Sequence, residues 1–285
     1  MIAILFCPTF CLAQSLNLSD WKTLLLDKKD AAAARKLCQT FAASGSLVEQ
    51  VEAEKCLSNV AMFGADAVHL QNDESGHPVM FDEWIPEAVD ESLAHLNRGL
   101  QLAPQDLSIH QGRLHVLEIS RRYDEMAKAL DESCDIYKGK EAPAVWLDYP
   151  SELNDLHAYE PALKLMKVLE KHYPNSPDIV GNIGAFLSIL KRDSEAIPYL
   201  ERAVALAPDD PINAWDLARE YDYAGKTDQA AIWYPKALSL MKNSENLRES
   251  YCLYAEFLEK KLKERARACD LEKQYCSKEA QTACP

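Results

Sequence analysis

Residues 177–210, PDIVGNIGAFLSILKRDSEAIPYLERAVALAPDD, and residues 211–244, PINAWDLAREYDYAGKTDQAAIWYPKALSLMKNS, are consecutive stretches of equal length built to one plan. Each opens on a proline that follows a capping residue, Ser176 before Pro177 and Asp210 before Pro211. The capping oxygen accepts from backbone N–H groups that have no intrahelical partner. Proline at the first helical position gives up an N–H that would have been orphaned anyway. Small residues follow at fixed offsets, Gly184 and Ala196 in the first stretch and Ala218 and Ala230 in the second. They let two helices approach to the close end of the packing range, roughly 8–10 Å between axes, while bulkier neighbours interlock around them. Prolines carry the period: Pro174 and Pro177 return as Pro208 and Pro211, both at the same displacement.

The pattern continues upstream in weaker form. Residues 143–176 keep Trp146, Ala162 and Pro174 but put Pro150 at a small-residue position. Residues 107–140 and 73–106 are more degraded, the latter with Leu96, Gly99 and Pro104 but no first helix of its own. In the clearest copy, 177–210, Ile183, Gly184, Leu187, Ala196, Leu200, Ala203 and Pro208 occupy the positions of a known motif; 211–244 matches with Leu217, Ala218, Tyr221, Ala230, Tyr234 and Ala237, and has Lys242 where Pro is usual. In these residues and in its period, the chain resembles the tetratricopeptide repeat family over 73–244. That resemblance implies an all-α fold, an α-solenoid of stacked antiparallel helix pairs in a right-handed superhelix. No single pair can bury its apolar stripe alone, so neighbours close a common core.

The resemblance also implies a site. Members of this family bind peptides or partner segments in an inner groove lined by first-helix side chains. At those offsets 211–244 presents Trp215, Arg219, Asp222 and Tyr223, and 107–140 presents Gln111, His115 and Glu118. Trp215, Arg219 and Tyr223 follow one another at every fourth position, an aromatic-Arg-aromatic stripe suited to a binding hot spot. The competing reading packs Trp215 on a capping helix. The Lys and Asn clamp of chaperone-binding members is not matched: Gly181, Ala185, Leu147 and Ser151 stand at its offsets, which disfavours acidic chaperone tails as ligands.

The flanks read as further helix. Residues 18–44 form a short helical pair around Trp21 and the run Ala31 to Cys38, and 47–70 a long helix that supplies the first helix missing from 73–106. Helices near 246–262 and 264–277 cap the chain, with Tyr251, Tyr254, Phe257 and Leu258 turned inward and Lys260, Lys261 and Lys263 in water. The chain therefore divides into 1–13, an N-terminal helical segment 14–72, repeats over 73–244 and a capping, cysteine-containing tail 245–285. Pro150 and Pro235 fall inside helices, where kinks are expected. Residues 72–84, NDESGHPVMFDEW, are the one long irregular segment, and Asp73 to Glu91 holds seven acidic residues and no basic one. It is a docking loop for a basic partner, a weak Ca²⁺ site at Asp73, Glu74, Asp82 and Glu83, or a solvated insertion with Phe81 and Trp84 tucked against helices.

Composition narrows the function classes. The 285 residues carry 31 Lys plus Arg against 45 Asp plus Glu, a formal net charge of -14, which argues against a nucleic-acid backbone or an anionic membrane as the main partner. Nine glycines are about 3% of the chain, under half the usual share of about 7%, a poor fit to Gly-rich phosphate loops. Gly225-Lys226-Thr227 has Glu220 where a phosphate loop needs its first glycine, and so reads as the turn inside a repeat. Motifs of the GxSxG, HExxH and CxxC kinds do not occur. The histidines at 69, 77, 95, 110, 115, 157 and 172 are scattered and read as surface residues. No catalytic residue, metal site or cofactor is assigned.

Residues 2–13, IAILFCPTFCLA, are an uncharged apolar run ending in small residues, which reads as a removable secretory signal over 1–13 although no basic residue precedes it. A periplasmic or secreted location, without stable membrane insertion once the signal is removed, is the expectation. Beyond it lie Cys38, Cys56, Cys134, Cys252, Cys269, Cys276 and Cys284, and an oxidising compartment pairs some of them. Cys38 and Cys56 flank Gly45 on consecutive helices and are expected to bridge. Cys269 and Cys276, two turns apart on one helix, lie about 10 Å from each other and need partners elsewhere. The function implied is a non-catalytic scaffold that binds a protein or peptide outside the cytoplasm. The alternatives are a redox or metal-handling protein built on leftover cysteines, or a subunit whose activity, through His115 or His77, needs a partner chain.

Overall fold

The computed structural model describes residues 17–64, 68–72, 78–137, 144–241, 247–276 and 284, with backbone alone over 68–72 and 78–83. The expected signal at 1–13 lies outside the described residues. Two compact units make up the chain, Met1–Tyr137 and Lys138–Pro285.

The first unit opens with a helical turn α1 (Asp20–Lys22) that widens into a π-helical turn at Thr23–Asp27. Helices α2 (Ala31–Ser44) and α3 (Leu47–Phe63), strands β1 (Val68–Asn72) and β2 (Pro78–Trp84), and helices α4 (Pro86–Leu102), α5 (Leu107–Ile119) and α6 (Tyr123–Ile136) follow. The second unit comprises α7 (Ala144–Asp155), α8 (Tyr159–His172), α9 (Pro177–Ile189), α10 (Asp193–Leu206), α11 (Pro211–Tyr223), α12 (Thr227–Leu240) and α13 (Leu247–Phe257), then a π-helical turn Leu258–Leu262 and α14 (Arg265–Tyr275). Within each unit every helix packs against the next in sequence. The fold is all-α, of the solenoid type, with one β-hairpin as its exception. Helix α3 packs along α4 and so completes the pair that 73–106 lacks by itself.

Two expectations are corrected here. The helix expected over 47–70 stops at Phe63, because Gly64 turns the backbone to an extended conformation (φ -64°, ψ 154°). The stretch expected to be irregular at 72–84 is largely a strand: β1 and β2 pair antiparallel, with Leu70 opposite Met80 and Asn72 opposite Pro78. Val68, Leu70, Val79 and Phe81 give both arms β-favouring residues at alternate positions, a period-2 signal hidden beneath the acidic composition. The Asp73, Glu74, Asp82 and Glu83 cation site lies outside the described side chains.

Repeat boundaries form as their sequence dictates. Ser176 Oγ accepts from the Ile179 N–H, and Asp210 Oδ1 from the N–H groups of Ile212 (2.7 Å) and Asn213 (3.0 Å). Asp106 caps α5 in the same way. The turn inside each pair holds one left-handed residue, Arg121 (φ 56°), His157 (φ 58°), Lys191 (φ 61°) and Gly225 (φ 71°), and the last two are related by the same displacement as the prolines. Between helices the small residues do what their size allows. A Cβ on Gly184 would lie 2.6 Å from Leu200 Cγ, and Ala196, Ala218 and Ala230 are wholly buried. Pro150 and Pro235 sit inside α7 and α12, and Pro198 inside α10.

The flanking elements use other means. A bridge from Cys38 to Cys56 joins α2 to α3, with Cα atoms 6.2 Å apart, inside a cluster of Ala34, Ala53, Leu57 and Val60. At the other end Cys252 is bonded to Cys276 and Cys269 to Cys284, so each member of the Cys269 and Cys276 pair finds its partner off its own helix. Cys134 is buried on α6.

Candidate functional site

Helix α11 ends on the sequence Trp215 to Tyr223 that carries the expected stripe, and the structure divides that stripe in two. Trp215 is only 8% exposed and packs edge-on against Tyr234 of α12, ring centroids 5.1 Å apart, in the core cluster it shares with Tyr254 and Phe257 of α13. It is thus a core residue, because a large indole beside two aromatic helices is more stable desolvated than wet. Its assignment to the groove surface is corrected on that ground. Arg219, Asp222 and Tyr223 stay together at the surface and line one wall of a cavity of about 210 Å³.

Tyr234 forms the floor, and Leu253, Glu256 and Phe257 of α13 with Lys260 and Lys261 of the following turn form the opposite wall. Phe257 is buried, whereas Tyr223 is 53% and Leu253 42% exposed, so the apolar lining runs out to the rim. Arg219 Nη2 donates to Tyr223 Oη at 2.9 Å, and its guanidinium lies 5.5 Å from the ring centroid; Lys191 Nζ lies 5.4 Å from the same centroid. Burial works against the Arg219 charge, but Tyr223 and Asp216 outweigh it and raise its pKa. Tyr234 is raised too, by burial first and then by Asp222, and its hydroxyl donates weakly to Asp222 Oδ2 at 3.5 Å. The other oxygen, Asp222 Oδ1, is buried and has no hydrogen bond; it faces Lys261 Nζ at 3.4 Å. Behind the wall, Asp216 is pushed up to about 6 by burial, against the pull of Arg219.

The second expected group separates. His115 is exposed and lines a different cavity, about 420 Å³, in the first unit, with Trp21, Phe63, Met62 and Leu96 among its walls. Gln111 is half-buried on α5 outside that lining. Glu118 is buried, with His115 Nδ1 3.4 Å from its Oε2. Two histidines read as surface residues are core residues: His95, whose Nδ1 lies 2.5 Å from Glu54 Oε2, and His110, held between Ser133 Oγ (2.8 Å) and the Pro104 carbonyl (2.9 Å). They lie on the packed faces of α4 and α5, where an imidazole with its nitrogens engaged is tolerated. Among the described residues no group of three or more His, Cys, Asp or Glu is placed to hold a metal ion.

The sequence alone did not assign Leu253, Glu256, Phe257, Lys260 and Lys261 to a site. They were readable as a cap, but nothing in a single sequence says that the cap faces the end of α11.

A family model of the tetratricopeptide repeat matches residues 177–210, which fold as α9 and α10. Residues 177–210 therefore carry a tetratricopeptide repeat. Among solved structures, this chain is similar to the human IFIT1 dimer with PPP-AAAA (19% identity, TM-score 0.45), covering 87% of this chain and 54% of that one. It is also similar to pilF of Pseudomonas aeruginosa (16% identity, TM-score 0.44), covering 68% of this chain and 88% of that one. A third is YrrB, described as a TPR protein with an unusual peptide-binding site (14% identity, TM-score 0.42), covering 76% of this chain and 96% of that one. The chain thus spans about half the length of IFIT1. A search of the curated proteins finds no match. No helix among the described residues is long and apolar enough to cross a membrane.

Proposed function

We propose that this tetratricopeptide repeat protein is a non-catalytic interaction scaffold, and that it docks a protein or peptide segment at the cavity between α11, α12 and α13. The cavity carries the reading. It joins an exposed aromatic and an exposed leucine at the rim to a buried aromatic floor, and it surrounds them with an arginine and two lysines. Rigid aromatic surface beside Arg is the composition of residues that dominate binding energy in interfaces. The site of action is outside the cytoplasm, in a periplasmic or secreted setting, since three cysteine pairs at bonding distance are persistent only where thiols are not kept reduced.

The experiment is an affinity capture from native extract with wild type and with Tyr223→Ala plus Arg219→Ala. The double variant is expected to keep its helical circular dichroism and lose the captured partner; equal recovery of the partner would remove the cavity from consideration. N-terminal sequencing of the chain isolated from its native source checks the location, with loss of residues 1–13 as the expected result.

A further inference from the structure

The charge around the cavity runs opposite to that of the protein. The cavity and an open depression lined by Glu259, Lys260, Lys263 and Arg265 have Lys260 in common. Together they gather Arg219, Lys260, Lys261, Lys263 and Arg265 against Asp222, Glu256 and Glu259, with Asp216 behind Arg219 at 3.9 Å, Glu256 on Lys260 at 2.5 Å and Asp222 on Lys261 at 3.4 Å; a cationic excess remains, in a chain that overall carries fourteen more acids than bases. This ledge is not a property of the repeat helices. Four of its five cations come from the π-helical turn 258–262, from Lys263 in the left-handed conformation (φ 61°), and from the first residue of α14. The left-handed residue breaks the helix between Leu262 and Arg265, so the basic residues on either side crowd one corner. The ledge is also held in place. Cys252–Cys276 ties α13 to the end of α14, Tyr251 stacks on Tyr275 at 4.0 Å, and Cys269, mid-α14, is bonded to Cys284.

We infer that this corner selects an acidic segment of a partner protein, with one bulky apolar side chain of the segment seated in the cavity and its carboxylates on the ledge. The inference rests on the cavity's being the docking site, and adds the chemical class of what docks. Size limits the occupant. At about 210 Å³ the cavity lies below the roughly 300 Å³ at which small-molecule pockets begin, and it suits a single large side chain. The remaining surface repels an acidic segment, so the ledge fixes where it lands as well as how tightly it is held.

The test uses the oxidised full chain and a fluorescein-labelled heptapeptide of one central Phe flanked by three Glu on each side, read by fluorescence anisotropy. Wild type is expected to bind it more tightly than the peptides in which Gln or Lys replaces Glu, or Ser replaces Phe. Lys260→Glu with Lys261→Glu should weaken binding by about tenfold, and added salt should erode it, as for partly exposed charge pairs. Lys28→Glu with Lys29→Glu, a basic pair in the first unit, should leave it unchanged. Binding of the Gln or Lys peptide as tight as the Glu peptide, or no effect of the double charge reversal, overturns the acidic class. If Tyr223→Ala still weakens a neutral peptide, the docking cavity survives that failure; if no peptide responds to Tyr223→Ala, both fall. Charge-reversal-sensitive sedimentation with phosphatidylglycerol vesicles, together with no peptide binding, overturns the proposal in favour of a membrane surface.

Discussion

Repeats 177–244 and the cap that follows them are both pairs of helices, yet they are held together differently. In the repeats, α9 to α12 meet through Gly184, Ala196, Ala218 and Ala230, the first helix of each pair starts on a capped proline, and none contains a cysteine. In the cap, α13 and α14 are tied by Cys252–Cys276 and a stacked Tyr251–Tyr275 pair, Cys269 of α14 is bonded to Cys284, and α13 gives way to a π-helical turn. The α2–α3 pair in the first unit resembles the cap in this respect, with its own bridge from Cys38 to Cys56. The difference teaches where each device is needed. The repeats rest on packing alone, whereas the two flanking pairs add covalent closure to cores that are likewise packed.

Removing the closure gives the largest expected effect. Changing Cys252, Cys269, Cys276 and Cys284 together to Ser should cost about 3–6 kcal/mol in urea unfolding under oxidising conditions, by the loop-closure estimate for two bridges. In reductant, where Cys38–Cys56 opens as well, wild type and variant should unfold alike, both below the oxidised variant. If reductant leaves the unfolding curve of wild type in place, the cap is stabilised as the repeats are and the distinction collapses.

Within the repeats the sensitive feature is contact distance. Gly184→Val drives a branched side chain toward Leu200, whose Cγ lies 2.6 Å from the point a Cβ would take, so overpacking should cost about 2–3 kcal/mol, with no dependence on reductant. An effect under about 0.5 kcal/mol would mean that α9 and α10 can separate freely, and would weaken the small-residue account.

A pH experiment sharpens the contrast at the junction. The Asp216 carboxyl, raised to about 6 by burial, holds its proton more tightly folded than unfolded, where Asp titrates near 3.8. The native state therefore binds more protons between those values, and stability falls as pH rises from about 4 to about 6, then levels. Asp216→Asn should remove that slope and raise the melting temperature at pH 7, a gain on the order of 1–2 kcal/mol. A slope unchanged by the substitution would assign the titration to another group.

The smallest effect expected is at the turns. Gly225 is left-handed at φ 71° with nothing within 4 Å of a Cβ position, so Gly225→Ala meets no clash and incurs the backbone cost alone. That cost is about 1 kcal/mol, a fall of roughly 2–4 °C in melting temperature. Lys191, at the equivalent turn, already bears it. No change in melting temperature would show that the turn relaxes out of the left-handed region.

The repeat was legible because its determinants are local. Ser176 and Asp210 cap helices a few residues away, and Gly184 and Ala196 state a contact that recurs at a fixed interval. The hairpin was less legible, since the acidic residues of 72–84 mask the alternation of Val79 and Phe81. Trp215 shows the limit most clearly. Its spacing with Arg219 and Tyr223 puts it on their face of α11 to within the drift of a helix at four-residue steps. Whether that edge of the stripe is wet depends on Tyr234, Tyr254 and Phe257, which arrive from two other helices.

From the sequence came helix type, period, caps, turn positions and the overall acidity, because each is set by residues within a turn or two of one another or by composition alone. Tertiary structure decided which of those residues meet: that Trp215 is sealed while Tyr223 stays open, that Cys252 reaches Cys276, and that Lys260 and Lys261 stand across a cavity from Arg219. Such pairings depend on the angle and depth at which helices pack, which is set by the summed fit of many side chains and is written in no one stretch of the chain.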